Sequence, residues 1–284
     1  ANVEWSYGGN GVWNEQENRL NQDLLQAARD AGVRMVRFPG GGHSDYYHWA
    51  DKVGPRETRK AVPTLLGGEA IFPSFATNEY LEFLEALDAE SLITVNAGTG
   101  TAEEAADWVR YVKSRSSVPS VYWEVGNELY MQGDQESSRA IAIPPDRYAD
   151  RFKSFAKKMR EANPGIKVGA IGGEEYGNIH FISYPDWNQK LLSKAGKDMD
   201  FLAVHNGYAP VLIDPNPDPV EVYQALLAAP LLIRQNLDLL DRQIEQFAGD
   251  KNGRIRIAVT EWGPIFQVGA GQPYYDHVKT LGSA

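Results

Sequence analysis

The stretch VYWEVGNELY, residues Val121–Tyr130, is an apolar run that stops abruptly at Asn127-Glu128. Apolar runs of this kind are typical of parallel strands that are buried on both faces. In an α/β barrel, the residues at the carboxyl end of such a strand face the open mouth, where active sites lie. The stretch therefore predicts a barrel strand that presents Glu128 to a cleft.

A second stretch has the same form. The β-prone run Arg256–Thr260 ends at Glu261-Trp262. Two carboxylates at the ends of two strands of one barrel can face each other, which is what hydrolysis of a glycosidic bond requires. We expect Glu128 to act as the acid/base and Glu261 as the nucleophile. The alternative, that both are ordinary carboxylates placed at helix starts by the helix dipole, explains one glutamate better than it explains the pair.

The rest of the chain alternates strand-like and helix-like segments. The predicted strands are Asn2–Tyr7, Val33–Phe38, Leu92–Asn96, the run from Val121, Lys167–Ile171, Phe201–His205 and Ile255–Thr260. The predicted helices are Glu17–Ala31, Glu79–Ala89, Ala102–Ser114, Pro145–Asn163, Asp186–Ala195, Pro219–Phe247 with a break near Pro230, and one that begins over Tyr274–Leu281. The fold class is therefore α/β: a (β/α)8 TIM barrel that lacks its eighth strand in this chain. Residues 1–284 are expected to form a single domain, truncated at one or both ends.

Composition restricts the class of partner. The chain has 284 residues with a formal net charge of −10, which argues against a nucleic acid and suits a neutral carbohydrate. There is no cysteine, so there is neither a disulfide framework nor a thiol nucleophile. No apolar run is long enough to predict a membrane span. The oligomeric state stays open, as does the cellular address, where an extracellular or periplasmic location is favoured over the cytoplasm.

Several motifs, in order along the chain, resemble glycoside hydrolase family 51, the α-L-arabinofuranosidase family. Residues 123–128 (WEVGNE) and 260–262 (TEW) resemble the acid/base and nucleophile signatures of clan A, to which that family belongs. Residues 36–41 with 47–56, and residues 95–101, resemble the family's loops after its second and third strands. The resemblance covers about residues 33–264 and implies a barrel with a retaining mechanism and no cofactor.

The resemblance also implies a set of substrate-binding residues. Asn127 is expected to donate to the sugar hydroxyl beside the anomeric carbon, and Arg37 to lie near the nucleophile. Trp49 is expected to form a wall of the sugar subsite. The remaining members of the predicted set are Asn96, His205, Tyr208 and Trp262.

This chain departs from the family pattern at three places. Gly42 stands where the family has Asn after Pro-Gly-Gly, and no glutamate in the first loop matches the one that holds arabinofuranose hydroxyls. The family's His-x-Tyr is lengthened here to residues 205–208, HNGY. Because groups that bind hydroxyls select the sugar, substrate choice stays open. The favoured reading is an α-L-arabinofuranosidase-like enzyme on plant cell-wall polysaccharide; the alternatives are an endo-β-1,4-glucanase, a β-xylanase or β-xylosidase, or a catalytically silent carbohydrate-binding barrel.

Other side chains fit two readings each. His43, Asp45 and His48 suggest metal ligands, but they lie in a glycine-rich loop without a clear fourth ligand, so we expect no metal. Glu174 and Glu175 either line the cleft or lie in a solvated loop. The large aromatic residues can stack on sugars or pack in the core; the candidates are Tyr46, Tyr47, Trp49, Trp123, Trp187 and Trp262.

Overall fold

The computed structural model describes residues 1–62, 70–115, 121–131, 141–173, 184, 186–205, 207–212, 218–251 and 253–266. Its centre is a six-stranded parallel sheet that curls into a partial barrel. The strands, hydrogen-bonded in chain order, are β1 (Met35–Phe38), β2 (Glu90–Val95), β3 (Tyr122–Val125), β4 (Lys167–Ile171), β5 (Phe201–Val204) and β6 (Arg256–Val259). The second to seventh predicted strands are thus confirmed.

Helices connect the strands and cover the outer face of the sheet. They are α1 (Gln22–Asp30), α2 (Thr77–Leu87), α3 (Ala102–Arg115), α4 (Pro145–Ala162), α5 (Trp187–Ala195) and α6 (Pro219–Gln243). Single helical turns lie at Tyr7–Asn10, Gly42–Tyr46, Trp49–Lys52, Arg56–Thr58, Gly196–Asp198 and Ile244–Ala248. Among the described residues, no helix combines the length and the apolar character needed to cross a membrane.

The predicted first strand is only partly correct. The N-terminal residues do run parallel to β1, because Val3 N–H donates to the Arg37 carbonyl at 2.9 Å and Arg37 N–H donates to the Ala1 carbonyl at 2.8 Å. This pairing amounts to a single bridge, at Asn2, and a helical turn begins at Tyr7. The turn replaces the end of the predicted strand because Gly8 and Gly9 adopt φ values of 60° and 67°.

Two helix predictions need correction. The first helix begins at Gln22 rather than Glu17, because the Asn21 side chain accepts the N–H groups of Asp23 and Leu24 and caps the helix there. The residues before it form a short hairpin, Trp13–Asn14 with Arg19–Leu20. The predicted break near Pro230 is wrong, since α6 continues through this exposed proline. The predicted helix at Tyr274–Leu281 lies outside the described residues.

The interior of the sheet is layered, as in other α/β barrels. Near the amino ends of the strands an apolar cluster forms, made of Leu92, Phe201 and Ala203 with Met35, Tyr122 and Ala258 against them. Nearer the carboxyl ends lie buried polar side chains: Arg37 from β1, Thr94 from β2 and Glu124 from β3. The sequence therefore folds so that charge is buried directly beneath the mouth.

The close packing inside the sheet gives a stability prediction at Gly169 of β4. A Cβ atom at this position would lie 2.1 Å from the Phe201 ring. Gly169→Ala should lower the free energy of unfolding by about 1–3 kcal/mol, because the ring must move out of a packed layer. Urea unfolding checks this, with Gly165→Ala as the control, where the nearest atom to the added Cβ is Asn163 Oδ1 at 3.5 Å. Equal unfolding midpoints for the two variants would contradict the expectation.

Candidate active site

Two glutamates and a histidine meet at the carboxyl ends of three strands. Glu128 follows β3, His205 follows β5 and Glu261 follows β6. One carboxylate oxygen of each glutamate and one ring nitrogen of His205 lie within 4.8 Å of one another. The turn into Glu128 passes through Gly126, whose φ of 80° suits glycine. The structure therefore brings together the pair that sequence reasoning selected.

The Arg37 guanidinium holds three parts of this site together. Its Nε donates to Glu124 at 2.7 Å, its Nη1 to Glu261 at 2.6 Å and its Nη2 to Asn127 Oδ1 at 2.8 Å. Only 2% of the arginine is exposed. Burial by itself lowers the pKa of Arg37, but the charges of Glu124 and Glu261 outweigh it and raise the pKa. The cation is thus permanent, and it fixes both the nucleophile candidate and the residue before Glu128.

Glu124 is a site residue that sequence reasoning missed. It is fully buried, and besides Arg37 it accepts hydrogen bonds from the hydroxyls of Thr94 at 2.6 Å and Thr260 at 3.0 Å. The signal was available, because a glutamate inside an apolar strand must find a cation in the interior. Which strand would supply that cation could not be read from the chain order alone.

His205 lies between the two glutamates, and 2% of it is exposed. Its Nδ1 is 2.6 Å from Glu128 Oε1, and its Nε2 is 3.7 Å from Glu261 Oε1. Burial lowers the pKa of His205, but the charge and hydrogen bond of Glu128 outweigh that effect and raise the pKa above its ordinary value. The two carboxylates therefore stabilise the charged form of the imidazole.

Glu261 is surrounded by groups that favour its ionised form. Tyr208 donates to its Oε2 at 2.5 Å while Arg37 occupies its Oε1. Burial raises the pKa of Glu261, but the charges of His205 and Arg37 and these hydrogen bonds prevail and lower it. The same carboxylate, together with burial, raises the pKa of Tyr208, so the phenol stays a donor. Glu261 is thus held as an oriented anion.

Known proteins similar to this chain in sequence and fold include α-L-arabinofuranosidases. The family model of the alpha-L-arabinofuranosidase 1 domain matches residues 27–120. The structure of the family 51 α-L-arabinofuranosidase from Thermotoga petrophila superposes with a TM-score of 0.78 at 26% identity, covering 94% of this chain and 55% of that one. The chain is therefore similar in sequence and in fold to family 51 α-L-arabinofuranosidases.

Curated relatives align with this chain over part of their length. An intracellular exo-alpha-L-arabinofuranosidase of Bacteroides ovatus is 32% identical over 201 residues, which are 64% of this chain and 36% of that protein. Alpha-L-arabinofuranosidase C of Emericella nidulans is 34% identical over 175 residues, 56% of this chain and 33% of that protein. The aligned region thus spans about a third of these curated relatives.

Glu4 is a second residue near the site that sequence reasoning missed. Its side chain packs against Gly40, where a Cβ atom would lie 2.5 Å from Glu4 Cγ, while the next glycine, Gly41, faces Glu261 in the same way at 3.1 Å. Ser6 Oγ donates to Glu4 at 3.1 Å, and about a third of the side chain, 36%, is exposed. The chain therefore does carry a glutamate near the mouth, before Trp5-Ser6 rather than after them.

Two of the predicted substrate-binding residues are engaged in local structure. The Trp49 ring stacks on Trp108, its Nε1 donates to the Glu104 carbonyl at 3.0 Å, and 8% of the residue is exposed. Asn96 Oδ1 accepts the N–H groups of Thr99 at 2.9 Å and Gly100 at 3.0 Å, which closes the loop after β2. Their binding roles stay predictions.

The aromatic candidates separate by exposure. Tyr47, Trp123 and Trp187 are each 1% exposed and belong to the core. Trp262, by contrast, is 73% exposed and directly follows Glu261 in the chain. Glu174 and Glu175 lie outside the described residues.

The three side chains considered as metal ligands have separate partners. His48 Nδ1 is 3.0 Å from Glu104, and His43 Nδ1 is 3.7 Å from Glu4. Asp45 accepts backbone N–H groups instead. Burial raises the pKa of Asp45 to about 7, although these backbone hydrogen bonds lower it. In the described part of the chain these three do not converge on one point.

The buried ion pair of Arg37 and Glu124 gives a second stability prediction. Arg37→Met should lower the free energy of unfolding by about 3–5 kcal/mol, because Glu124 is left buried without its cation. The double variant Arg37→Met with Glu124→Gln should recover part of that loss, since no charge is then stranded. Urea unfolding of the singles and the double measures the coupling. Arg234→Met serves as the exposed control, because the Arg234 side chain is 82% exposed; additive losses would contradict the coupling.

Proposed function

We propose that the chain carries the catalytic site of a retaining glycoside hydrolase of α-L-arabinofuranosidase type, with Glu128 as acid/base and Glu261 as nucleophile. One observation carries the proposal: a carboxylate oxygen of each residue lies within 4.8 Å of the other and of the His205 ring. Retaining enzymes hold their two carboxyl groups about 5 Å apart, whereas inverting enzymes leave room for a water between them.

In the first step, the Glu261 carboxylate attacks the anomeric carbon as the bond from that carbon to the leaving oxygen breaks. Glu128 gives its proton to the leaving oxygen, and a covalent ester between the sugar and Glu261 results. In the second step, Glu128 takes a proton from water, the water oxygen attacks the same carbon, and Glu261 leaves as a carboxylate. Both steps use only these two carboxyl groups and one water.

The surroundings suit the two glutamates to different roles. Arg37 and Tyr208 each bind one oxygen of Glu261, which orients the anion for attack. Arg37 also occupies the Asn127 oxygen, so the NH₂ group of that amide is available to a sugar hydroxyl. A hydrogen bond of that kind strengthens as positive charge develops at the anomeric carbon.

The substrate class is inferred from likeness. The two curated relatives described above are α-L-arabinofuranosidases, and the chain covers about a third of each. We infer arabinose- or xylose-containing plant cell-wall polysaccharide, or its oligosaccharides, as the substrate. Glu4 and Trp262, at the mouth, supply a carboxylate for sugar hydroxyls and an aromatic face for the ring.

Hydrolysis of aryl glycosides tests the proposal. Wild type should release nitrophenol from aryl α-L-arabinofuranoside, and Glu261→Gln should lower kcat by at least about 1,000-fold, because an amide cannot form the covalent intermediate. Glu57→Gln, at an exposed position, is the control. Best turnover of β-xyloside, xylan or β-glucan would support the xylanase, xylosidase or endoglucanase alternatives. Sugar binding without turnover by folded protein would support the silent barrel.

The pH dependence of kcat/KM tests the role of His205. Its positive charge lowers the pKa of Glu261, so His205→Gln should raise that pKa and move the acidic limb of kcat/KM to higher pH. Activity would then be lost at a pH where wild type still works. His48→Gln, at a half-exposed histidine paired with Glu104, should leave the limb in place. An unmoved limb in His205→Gln would show that another group sets Glu261 ionisation.

A further inference from the structure

Asp45 is a buried carboxylate that the two-step reaction does not use. It lies in the helical turn Gly42–Tyr46 after β1, and 1% of it is exposed. Its Oδ1 accepts the N–H groups of Ala97 and Gly98, each at 3.1 Å, and its Oδ2 accepts the N–H of Asn127 at 2.9 Å. Both oxygens are therefore satisfied by backbone amides rather than by a cationic side chain.

These amides belong to two different loops. Ala97 and Gly98 follow β2, whereas Asn127 follows β3 and directly precedes Glu128. The Asp45 carbonyl adds a further link, because it accepts Thr99 N–H at 3.1 Å and Thr99 Oγ1–H at 3.0 Å. One residue thus joins the loops that follow three successive strands.

Two glycines leave the space that Asp45 needs. A Cβ atom on Gly98 would lie 2.6 Å from the Asp45 carbonyl oxygen, which is closer than such atoms approach. A Cβ atom on Gly126 would lie 3.3 Å from Asp45 Oδ1, and the φ of 80° at Gly126 also disfavours a side chain. The backbone around the carboxylate is therefore shaped to its position.

A counter-charge lies on the far side of the loop segment Ala97-Gly98. Arg151 of α4 donates to the carbonyl oxygens of Ala97 and, at 3.3 Å, of Gly98. The dipole of the peptide group that joins Ala97 to Gly98 consequently has a carboxylate at its N–H end and a guanidinium at its carbonyl end. Such an arrangement stabilises a buried anion without direct contact with a cation.

We propose that Asp45 is a positioning residue for Glu128: by fixing the Asn127 N–H to the loop after β2, it sets where the acid/base carboxyl stands. This inference rests on the proposed function of Glu128. The hydrogen bond from Asn127 N–H to Asp45 is the last backbone contact before Glu128. Its loss lets Glu128 move while Arg37 still holds Glu261. Small displacements of a catalytic group lower rates steeply.

Asp45→Asn tests the proposal with little change of shape. The carboxamide replaces one acceptor oxygen by an NH₂ group, which must face a backbone donor in this site. If Glu128 is displaced, cleavage should slow only for substrates whose leaving group needs a proton. For aryl α-L-arabinofuranosides with poor leaving groups, kcat/KM should fall about 10–100-fold, and for the dinitrophenyl glycoside less than about threefold.

Asp51→Asn is the matched control, since Asp51 is an exposed aspartate of the same loop and should leave all leaving groups unaffected. A second readout does not depend on catalysis. Hydrogen exchange of the peptide covering residues 126–131 should become faster in Asp45→Asn, because the Asn127 N–H loses its acceptor.

The outcomes separate the two proposals. An equal fall in kcat/KM for all leaving groups would overturn the positioning role in favour of a general loss of structure. Unchanged exchange at Asn127 would overturn it by itself. If wild type cleaves none of the glycosides, the proposed function fails, and Asp45 then positions no acid/base even if exchange at Asn127 becomes faster.

Discussion

The Arg37 guanidinium is the contact on which the rest of the site depends. Each of its three nitrogen atoms donates to a different neighbour: Glu124 inside the sheet, Glu261 at the end of β6 and Asn127 at the end of β3. Its planar shape makes this possible, because the donors point in fixed directions. A lysine at this position would carry the same charge on a single nitrogen, without donors in three fixed directions, and it would not link β1 to both β3 and β6.

Burying an arginine and two carboxylates costs solvation, which good geometry only partly repays. The arrangement therefore makes little sense as a device for stability alone. The arrangement does suit the nucleophilic role proposed for Glu261, because a nucleophile must be ionised, oriented and partly shielded from water. The structure meets these conditions by pairing opposite charges. Glu124 lies beside Arg37, and His205 lies beside Glu261, so that each pair offsets part of the solvation lost on burial.

The loops above the sheet repeat the same principle with backbone groups. Asp45 accepts the N–H groups of Ala97 and Gly98, and Arg151 donates to their carbonyl oxygens, so the loop after β2 lies between two charges. Arg37 thus acts on the Asn127 side chain, and Asp45 acts on the Asn127 backbone. The dipeptide Asn127-Glu128 is held from below by the sheet and from the side by a neighbouring loop.

The sequence by itself determined the second to seventh predicted strands, the fold class and the choice of the two glutamates, because apolar runs that end in polar residues are local signals. It did not reveal Glu124, whose meaning depends on an arginine 87 residues away. It did not assign Asp45, because three backbone donors leave no trace in residue types, nor did it place Trp49, which stacks on Trp108. Only tertiary structure decides such matters, since curling of the sheet sets which distant side chains share one buried volume and must neutralise one another.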